Sequence, residues 1–167
     1  KLLGQIIYFS LLFELGGALL IYLSWPMEAP FADQPSVKAF HSIFHSVSAF
    51  NNAGFSLYTA GLAEPFLYHA PVLRLVVALL IVFGGLGFPV LRDLLGYRQI
   101  IGRLQAPWKK WKLSTRISVW TAVFLLLFGT LLFGFLEYRA GGTLAGQSTA
   151  RVLIDSFFAS ASARTAG

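Results

Sequence analysis

Long apolar runs separated by short polar stretches dominate the sequence. They cover about 5–25, 72–91 and 117–138. Because a helix rises ~1.5 Å per residue, the first run of about 21 residues makes a helix of roughly 31 Å, which matches the ~30 Å hydrocarbon core of a bilayer. The pattern therefore predicts three membrane-spanning helices.

A fourth segment, 35–56, has a helical pattern but is too short to span a membrane. Its apolar residues recur every three or four positions, at Val37, Phe40, Phe44 and Val47. The helix has about 15 residues and a length of about 22 Å, so the chain must return to the side from which it came. Non-helical backbone at membrane depth is tolerated only where protein buries it or where it lines a water-filled cavity. We therefore predict a re-entrant helix followed by a functional loop.

Charge and composition also indicate a membrane protein. Charged residues make up 12% of the chain, against about 25% in soluble domains, and the mean hydropathy is +0.69. Seven of the 13 basic residues lie in 92–116; this distribution predicts a cytoplasmic loop rather than a nucleic-acid-binding surface. The chain has no cysteine, which excludes disulfides and thiolate metal sites. It starts at Lys1 without a methionine and stops at Gly167, so we expect a piece of a longer protein.

The second half of the sequence repeats the first at an offset of 113 residues. The matched positions are Gly16 with Gly129, Leu19 with Leu132, Phe44 with Phe157, Ala53 with Ala166 and Gly54 with Gly167. One ungapped offset aligns both the spanning run and the short helix. We therefore predict an all-α membrane protein built from units of span, re-entrant helix, glycine-bearing loop and span around a central pore. Residues 1–91 form one complete unit, 92–116 the basic loop, and 117–167 the front part of a second unit.

Both short helices end in small and polar residues around a glycine. Several backbone carbonyls that point at one axis can replace the water shell of an ion, and glycine permits the backbone conformations that this requires. The C-terminal end of the preceding helix carries a partial negative charge, which favours a cation over an anion. The loops at 51–54 and 164–167 are therefore candidate cation-binding strands.

Four motifs carry a resemblance to a known family. They are SAFNNAGFS at 48–56, GGLGFPV at 84–90, GTLLFGFLEY at 129–138 and SARTAG at 162–167. The sequence resembles the Trk/Ktr/HKT superfamily of potassium transporters, and most closely the ion-conducting membrane subunit of the bacterial Ktr or Trk type. Proteins of this family have four repeats around one pore. The resemblance covers the whole chain and matches the second repeat and the front of the third.

The resemblance implies potassium uptake through a selectivity filter made of backbone carbonyls. Gly54 and Gly167 match the filter glycines of the family. Their neighbours in the two filter strands are Asn51, Asn52, Ala53, Arg164, Thr165 and Ala166. We expect the two asparagine side chains to brace the filter rather than to touch the ion. Potassium is expected only as the transported ion, with no catalytic residue, no side-chain metal site and no cofactor in this chain.

The resemblance also implies a location and partners. We expect a multi-pass protein of the bacterial inner or plasma membrane, in contact with lipid and assembled as a homodimer. A cytoplasmic nucleotide-binding ring of regulatory subunits would face 92–116 and would hold the nucleotide. Nucleic acid is not expected as a partner. Gly84, Gly85, Gly87 and Pro89, late in the second apolar run, form a candidate hinge or close-packing site, since proline removes one backbone donor.

Two charged residues in apolar surroundings need an explanation. The guanidinium of Arg164 would repel potassium in a filter, so we expect it to point behind the filter and to pair with carbonyls or an acid, with Asp155 as the candidate. Glu14 lies in the middle of a span, where acids are functional candidates. Its role is either a hydrogen-bonded packing group or part of the ion pathway. The residue at the repeated position, Leu127, carries no charge.

Three alternatives remain open at this point. The first is a sodium-conducting relative, although both loops carry glycine where a serine lowers potassium selectivity in the plant branch of the family. The second is a metal-dependent membrane enzyme, since His41 and His45 are one helical turn apart. The repeated positions are Ile154 and Phe158, and packing is the favoured role of the two histidines. The third is a membrane scaffold that conducts nothing.

Overall fold

The structure is a computed structural model that describes residues 2–27, 29–105, 111–139 and 148–165. In these ranges the chain forms seven α-helices: α1 Leu2–Leu23, α2 Pro35–Phe50, α3 Pro71–Leu86, α4 Phe88–Leu95, α5 Tyr97–Gln105, α6 Leu113–Arg139 and α7 Thr149–Thr165. Two 3-10 helices, Gly61–Ala63 and Pro65–His69, lie between α2 and α3. None of the residues so described is in a β-strand, and the predicted all-α class is confirmed.

Two of these helices are long and apolar enough to cross a membrane. The stretch 2–23 in α1 has a mean hydropathy of 2.0 and the stretch 113–137 in α6 has 2.3, in agreement with the first and third predicted spans. Only four residues of α1 are buried against the rest of the chain, namely Phe9, Gly17, Ala18 and Ile21. Most of the apolar surface of α1 is therefore available to lipid or to further helices.

The predicted continuous helix at 72–91 is wrong, because the chain breaks at Gly87. Helices α3 and α4 meet there at a bend of 104°. Gly87 has φ +78 and ψ 156, a conformation that is open to glycine, and Pro89 lies in the first turn of α4. Helix α3 has 16 residues and is about 24 Å long, shorter than a hydrocarbon core.

The basic segment after this break is partly helical rather than a plain loop. It contains the end of α4 and all of α5, and residues 106–110 lie outside the described part of the chain. The carboxylate of Asp93, which is buried, accepts a hydrogen bond of 3.2 Å from the backbone N–H of Lys112, just before α6 begins. A negative charge at a helix N-terminus is favourable, so α4 is fastened to the start of α6.

Helix α2 is wedged between α1 and α3, and glycines make the approach possible. A Cβ on Gly17 would lie 2.5 Å from Ser46 Oγ, and a Cβ on Gly84 would overlap the carbonyl oxygen of Phe50. At the first contact the hydroxyl of Ser46 donates a hydrogen bond of 2.7 Å to the carbonyl of Glu14. Small residues thus bring the helix backbones together, as is common between membrane helices.

Helices α6 and α7 repeat this contact in a different register from the predicted one. Ser160 Oγ donates a hydrogen bond of 3.2 Å to the carbonyl of Leu126, and Gly129 leaves the room for it. Glu14 to Leu126 is a step of 112 residues, whereas Ser46 to Ser160 is a step of 114. The ungapped offset of 113 therefore does not describe the helix contacts, because insertions in the connecting segments shift each helix separately. The contact counterpart of Glu14 is Leu126 rather than residue 127.

A buried ion pair joins the two helix pairs. Arg74 of α3 donates a hydrogen bond to the carboxylate of Asp155 in α7, and both side chains are at least nine-tenths buried. The guanidinium also lies 5.2 Å from the centre of the Phe158 ring. This pairing explains how a charged residue is accommodated in the second apolar run, since a buried charge is tolerated when it is paired. The predicted pairing of Arg164 with Asp155 is wrong, because Arg74 holds that carboxylate.

We predict that Gly84→Ala destabilises the protein by about 1–3 kcal/mol, the usual effect of an overpacked helix contact. The added methyl group meets the backbone of Phe50, which cannot rotate away as a side chain can. The measurement is thermal unfolding of the purified full-length protein in detergent. Gly16→Ala is the matched control, because a Cβ there meets nothing within 4 Å. An equal melting temperature for the two variants would contradict the predicted clash.

A second prediction concerns the ion pair. Asp155→Leu alone leaves the charge of Arg74 buried and unpaired, and we expect a loss of about 3–5 kcal/mol, whereas the double variant with Arg74→Met recovers most of it. A double-mutant cycle on thermal stability measures the coupling. The control is Arg116→Met, which removes an exposed charge. Losses that simply add in the double variant would show that the two side chains do not depend on each other.

Candidate functional site

The glycine loop, which we define as residues 51–56, starts where α2 ends. The backbone N–H of Ala53 donates a hydrogen bond of 2.9 Å to the carbonyl of Ser48. Two residues then take left-handed backbone conformations, Asn52 with φ 53 and Gly54 with φ 72. Asparagine and glycine are the residues that adopt this region most readily. The local sequence therefore reverses the chain within a few residues of the helix end.

The middle of the glycine loop is open to the surroundings. Ala53, Gly54 and Phe55 are exposed, and the Phe55 side chain is 71% exposed. Beside the loop lies an apolar groove of about 450 Å³ lined by residues that include Phe40, Phe44 and Phe55. The backbone around Gly54 is thus accessible to a ligand or to another part of a larger protein.

Both asparagine side chains of the loop bond to the protein. The Asn51 amide donates to Glu14 Oε1 at 2.8 Å and to the Val47 carbonyl at 2.9 Å. The Asn52 amide donates to the Phe50 carbonyl at 3.4 Å. These contacts fit the expected bracing role. They also give Glu14 a definite task, since its carboxylate holds the first residue of the loop against α1.

The second candidate strand is described only at its beginning. Ala166 and Gly167 lie outside the described residues, and nothing is said of the Thr165 side chain. Arg164 Nη1 donates a hydrogen bond of 3.3 Å to the carbonyl of Ala122 in α6. Its charge is therefore directed against the long helix, onto a carbonyl as expected, although the expected acid is not its partner.

The position of Arg164 is clarified by the contact register. A step of 114 residues relates it to Phe50, whose ring stacks on Phe13 of α1 with centroids 5.2 Å apart. Arginine in α7 and phenylalanine in α2 therefore both point from the last turn of the short helix to the long helix beside it. The backbone carbonyls at the helix end are left free of this charge.

The two histidines of α2 take part in an aromatic cluster. Their rings and the Tyr58 ring stack with centroids 5.1–6.1 Å apart. His45 Nδ1 lies 2.8 Å from the His41 carbonyl, and His41 Nδ1 lies 2.9 Å from the Tyr58 hydroxyl. Among the described residues, no group of three metal-ligating side chains surrounds them. The packing role explains both rings, and no contact favours the metal-dependent enzyme.

The candidate hinge residues separate into two places. Gly84 provides the close contact with the end of α2, and Gly85 follows it within α3. Gly87 and Pro89 form the break between α3 and α4. The sequence analysis missed Ser48, which bonds to the far side of the glycine loop. The signal was present in the spacing of polar residues along α2.

Comparisons with known proteins give the family. Residues 5–167 match the TrkH family, described as cation transport protein. Ktr system potassium uptake protein B of Vibrio alginolyticus is 33% identical over 174 residues, which covers 100% of this chain and 34% of the relative. Potassium/sodium uptake protein NtpJ of Enterococcus hirae is 34% identical over 167 residues, with the same two coverages. Ktr system potassium uptake protein B of Bacillus subtilis is 35% identical over 128 residues, 77% of this chain and 26% of the relative.

The chain spans about a third of the length of the curated relatives that it matches in full. The family match, in contrast, extends over nearly all of its residues. It coincides with a fold of apolar helices, two of which are long enough to cross a membrane. The chain therefore belongs to the TrkH family of cation transport proteins.

Proposed function

We propose that this chain forms part of a potassium-conducting path across the cell membrane, in which backbone carbonyls of the glycine loop bind the ion. The observation that carries the proposal is the exposed turn at Asn52 and Gly54, directly after the last turn of α2. A cation at this point gains from the partial negative charge of the helix end. Two of the relatives are named as potassium uptake proteins and one as a potassium/sodium uptake protein.

Electrostatics decides whether a cation can occupy such a site. A fixed positive charge about 4 Å from the ion would cost about 4 kcal/mol at an effective dielectric constant of ~20. The contact of Arg164 with the Ala122 carbonyl holds the guanidinium against α6, which supports a cation path at the ends of the short helices. The membrane potential then drives uptake with roughly 2.3 kcal/mol per charge per 100 mV.

The proposal assigns the chain to a subunit with four repeats. Residues 1–91 are one repeat, 92–116 the basic connection and 117–167 the front of the next. Support comes from the way in which α3 covers α7. Phe158 of α7 lies under Arg74 of α3, whereas Phe44, one step of 114 residues earlier, lines the open groove on α2. We propose that a helix of the preceding repeat fills this groove.

The remaining assignments belong to the same proposal. Potassium is the transported ion, the subunit forms a homodimer in the bacterial cell membrane, and a cytoplasmic nucleotide-binding ring docks on the segment with α4 and α5. The names of two relatives refer to a Ktr system, which supports additional components. The family is one of transporters, so no catalytic residue is assigned. A sodium-conducting function is the second candidate, because a relative is named as a potassium/sodium uptake protein.

We predict that Gly54→Ser in the full-length protein lowers the preference for potassium over sodium about tenfold. A serine at φ 72 costs about 1–2 kcal/mol in the left-handed region and shifts the carbonyls of the loop, and about 1.4 kcal/mol corresponds to a factor of ten in affinity. Rubidium uptake by cells that lack other potassium uptake systems, measured with increasing sodium, gives the preference.

Gly61→Ser is the matched control for this experiment. Gly61 has φ 61, and a Cβ there meets nothing within 4 Å, so the strain is similar but lies outside the glycine loop. We expect this variant to keep the wild-type preference. Equal uptake and equal ion preference in wild type and in Gly54→Ser would overturn the proposed site, and a wild type that prefers sodium would favour the second candidate.

A further inference from the structure

One face of α2 carries side chains that bond to the chain leaving the glycine loop. His41, His45 and Ser48 are four and three residues apart, which places them on the same side of a helix. Their partners are Tyr58, Ser56 and Phe55, taken in that order, and the partners therefore run in the opposite direction. We call these three contacts the side-chain ladder.

The contacts of the ladder are short enough to be hydrogen bonds. The Ser48 hydroxyl donates to the carbonyl of Phe55 at 2.7 Å. His45 Nε2 and Ser56 Oγ are 3.4 Å apart. His41 Nδ1 and the Tyr58 hydroxyl are 2.9 Å apart. All three residues on the α2 side are at least nine-tenths buried.

The middle contact has a defined direction. A carbonyl only accepts, so His45 Nδ1 carries the hydrogen that it donates to the His41 carbonyl at 2.8 Å. In the neutral imidazole the other nitrogen is then an acceptor, and the Ser56 hydroxyl donates to it. The oxygen of that hydroxyl accepts the backbone N–H of Tyr58 at 3.1 Å. The imidazole thus fixes the backbone two residues beyond the glycine loop.

The outer contact keeps its character at physiological pH. Burial, with a smaller contribution from the negative charge of Glu64, raises the pKa of Tyr58 to about 12. The phenol therefore stays protonated and its hydroxyl remains available to His41. Stacking of the Tyr58 ring on both imidazoles adds a contact that a phenylalanine ring would keep.

The loop depends on the ladder because its backbone makes few bonds of its own on this side. The backbone hydrogen bonds that follow α2 end at Ala53, and the next one connects Gly61 with Tyr58. In the described part of the chain, residues 54–57 take part in no backbone–backbone hydrogen bond outside helices. The direction of the chain after Gly54 is therefore set by side chains of α2.

We infer that His41, His45 and Ser48 are positioning residues, which hold the strand after Gly54 so that its carbonyls keep the spacing that favours potassium over sodium. The inference rests on the proposed function. None of the three touches the ion; each acts through the backbone of residues 55–58. Other serines of α2 do not share this role, since the Ser42 hydroxyl bonds to the Lys38 carbonyl within the same helix.

The test compares variants of the full-length protein by rubidium uptake with increasing sodium, with abundance in the membrane measured in parallel. Removal of one rung by Ser48→Ala or Tyr58→Phe is expected to lower the preference for potassium about fivefold, the effect of one lost hydrogen bond of typical strength. Ser42→Ala, a buried serine of the same helix, is the matched control and keeps the preference.

Substitutions at His45 separate positioning from simple stability. His45→Gln has an amide long enough to reach Ser56 and is expected to retain most of the preference. His45→Asn keeps a donor for the His41 carbonyl but does not reach Ser56, and it behaves like Ser48→Ala. If the variants lose abundance or melting temperature while the ion preference of the remaining protein is unchanged, the ladder is merely structural and the inference is overturned.

Gly54→Ser distinguishes this failure from a failure of the proposed function. If Gly54→Ser changes the ion preference while Ser48→Ala, Tyr58→Phe and His45→Asn all behave like Ser42→Ala, the site stands and the ladder is wrong. If Gly54→Ser also leaves the preference unchanged, the proposed site itself is wrong. Should Ser48→Ala fail to reach the membrane, the milder Tyr58→Phe decides, because it removes one oxygen and keeps the ring.

Discussion

The structure depends on one constraint, which is that a helix ending inside a membrane protein must find hydrogen-bond partners for the backbone beyond its last turn. Water is scarce there, and an unsatisfied polar group costs several kcal/mol. Helix α2 meets this constraint with close contacts at Gly17 and Gly84 and with side chains on both sides of the glycine loop. Asn51 fastens the start of the loop to Glu14, and Ser48 fastens its far side. The polar residues of this apolar chain are concentrated where the backbone needs them.

The same constraint explains why the two helix pairs differ although their scaffold contact is the same. In each pair a serine of the short helix donates to a carbonyl of the long helix beside a glycine. The step of 114 residues relates His41 to Asp155. In α2 this position binds the chain that leaves the loop, whereas in α7 it binds Arg74 of the neighbouring unit. One polar position thus serves a local contact in one unit and a contact between units in the other.

The sequence predicted the elements well and their contacts less well. Two spans and the short helix beginning at Pro35 follow from apolar periodicity, which depends only on local spacing. The break at Gly87 was missed as a break, because hydropathy continues through it and only backbone direction changes. The partner of Asp155 could not be predicted, since Arg74 is 81 residues away and nothing in local spacing encodes that proximity. Arg164 was correctly expected to bond behind the loop, because placing a fixed charge next to a cation is unfavourable.

The register explains why a single offset was convincing and yet incomplete. The long helices are related by 112 residues and the short helices by 114, while the glycines at 54 and 167 are related by 113. From Ser48 to Gly54 there are six steps, and from Ser162 to Gly167 there are five. The first loop thus has room for the extra left-handed residue, Asn52, before its glycine. If both glycines bind one ion on a common axis, as proposed, the glycines must lie level and the helices must absorb the difference, so the units of such a filter cannot be related by strict symmetry.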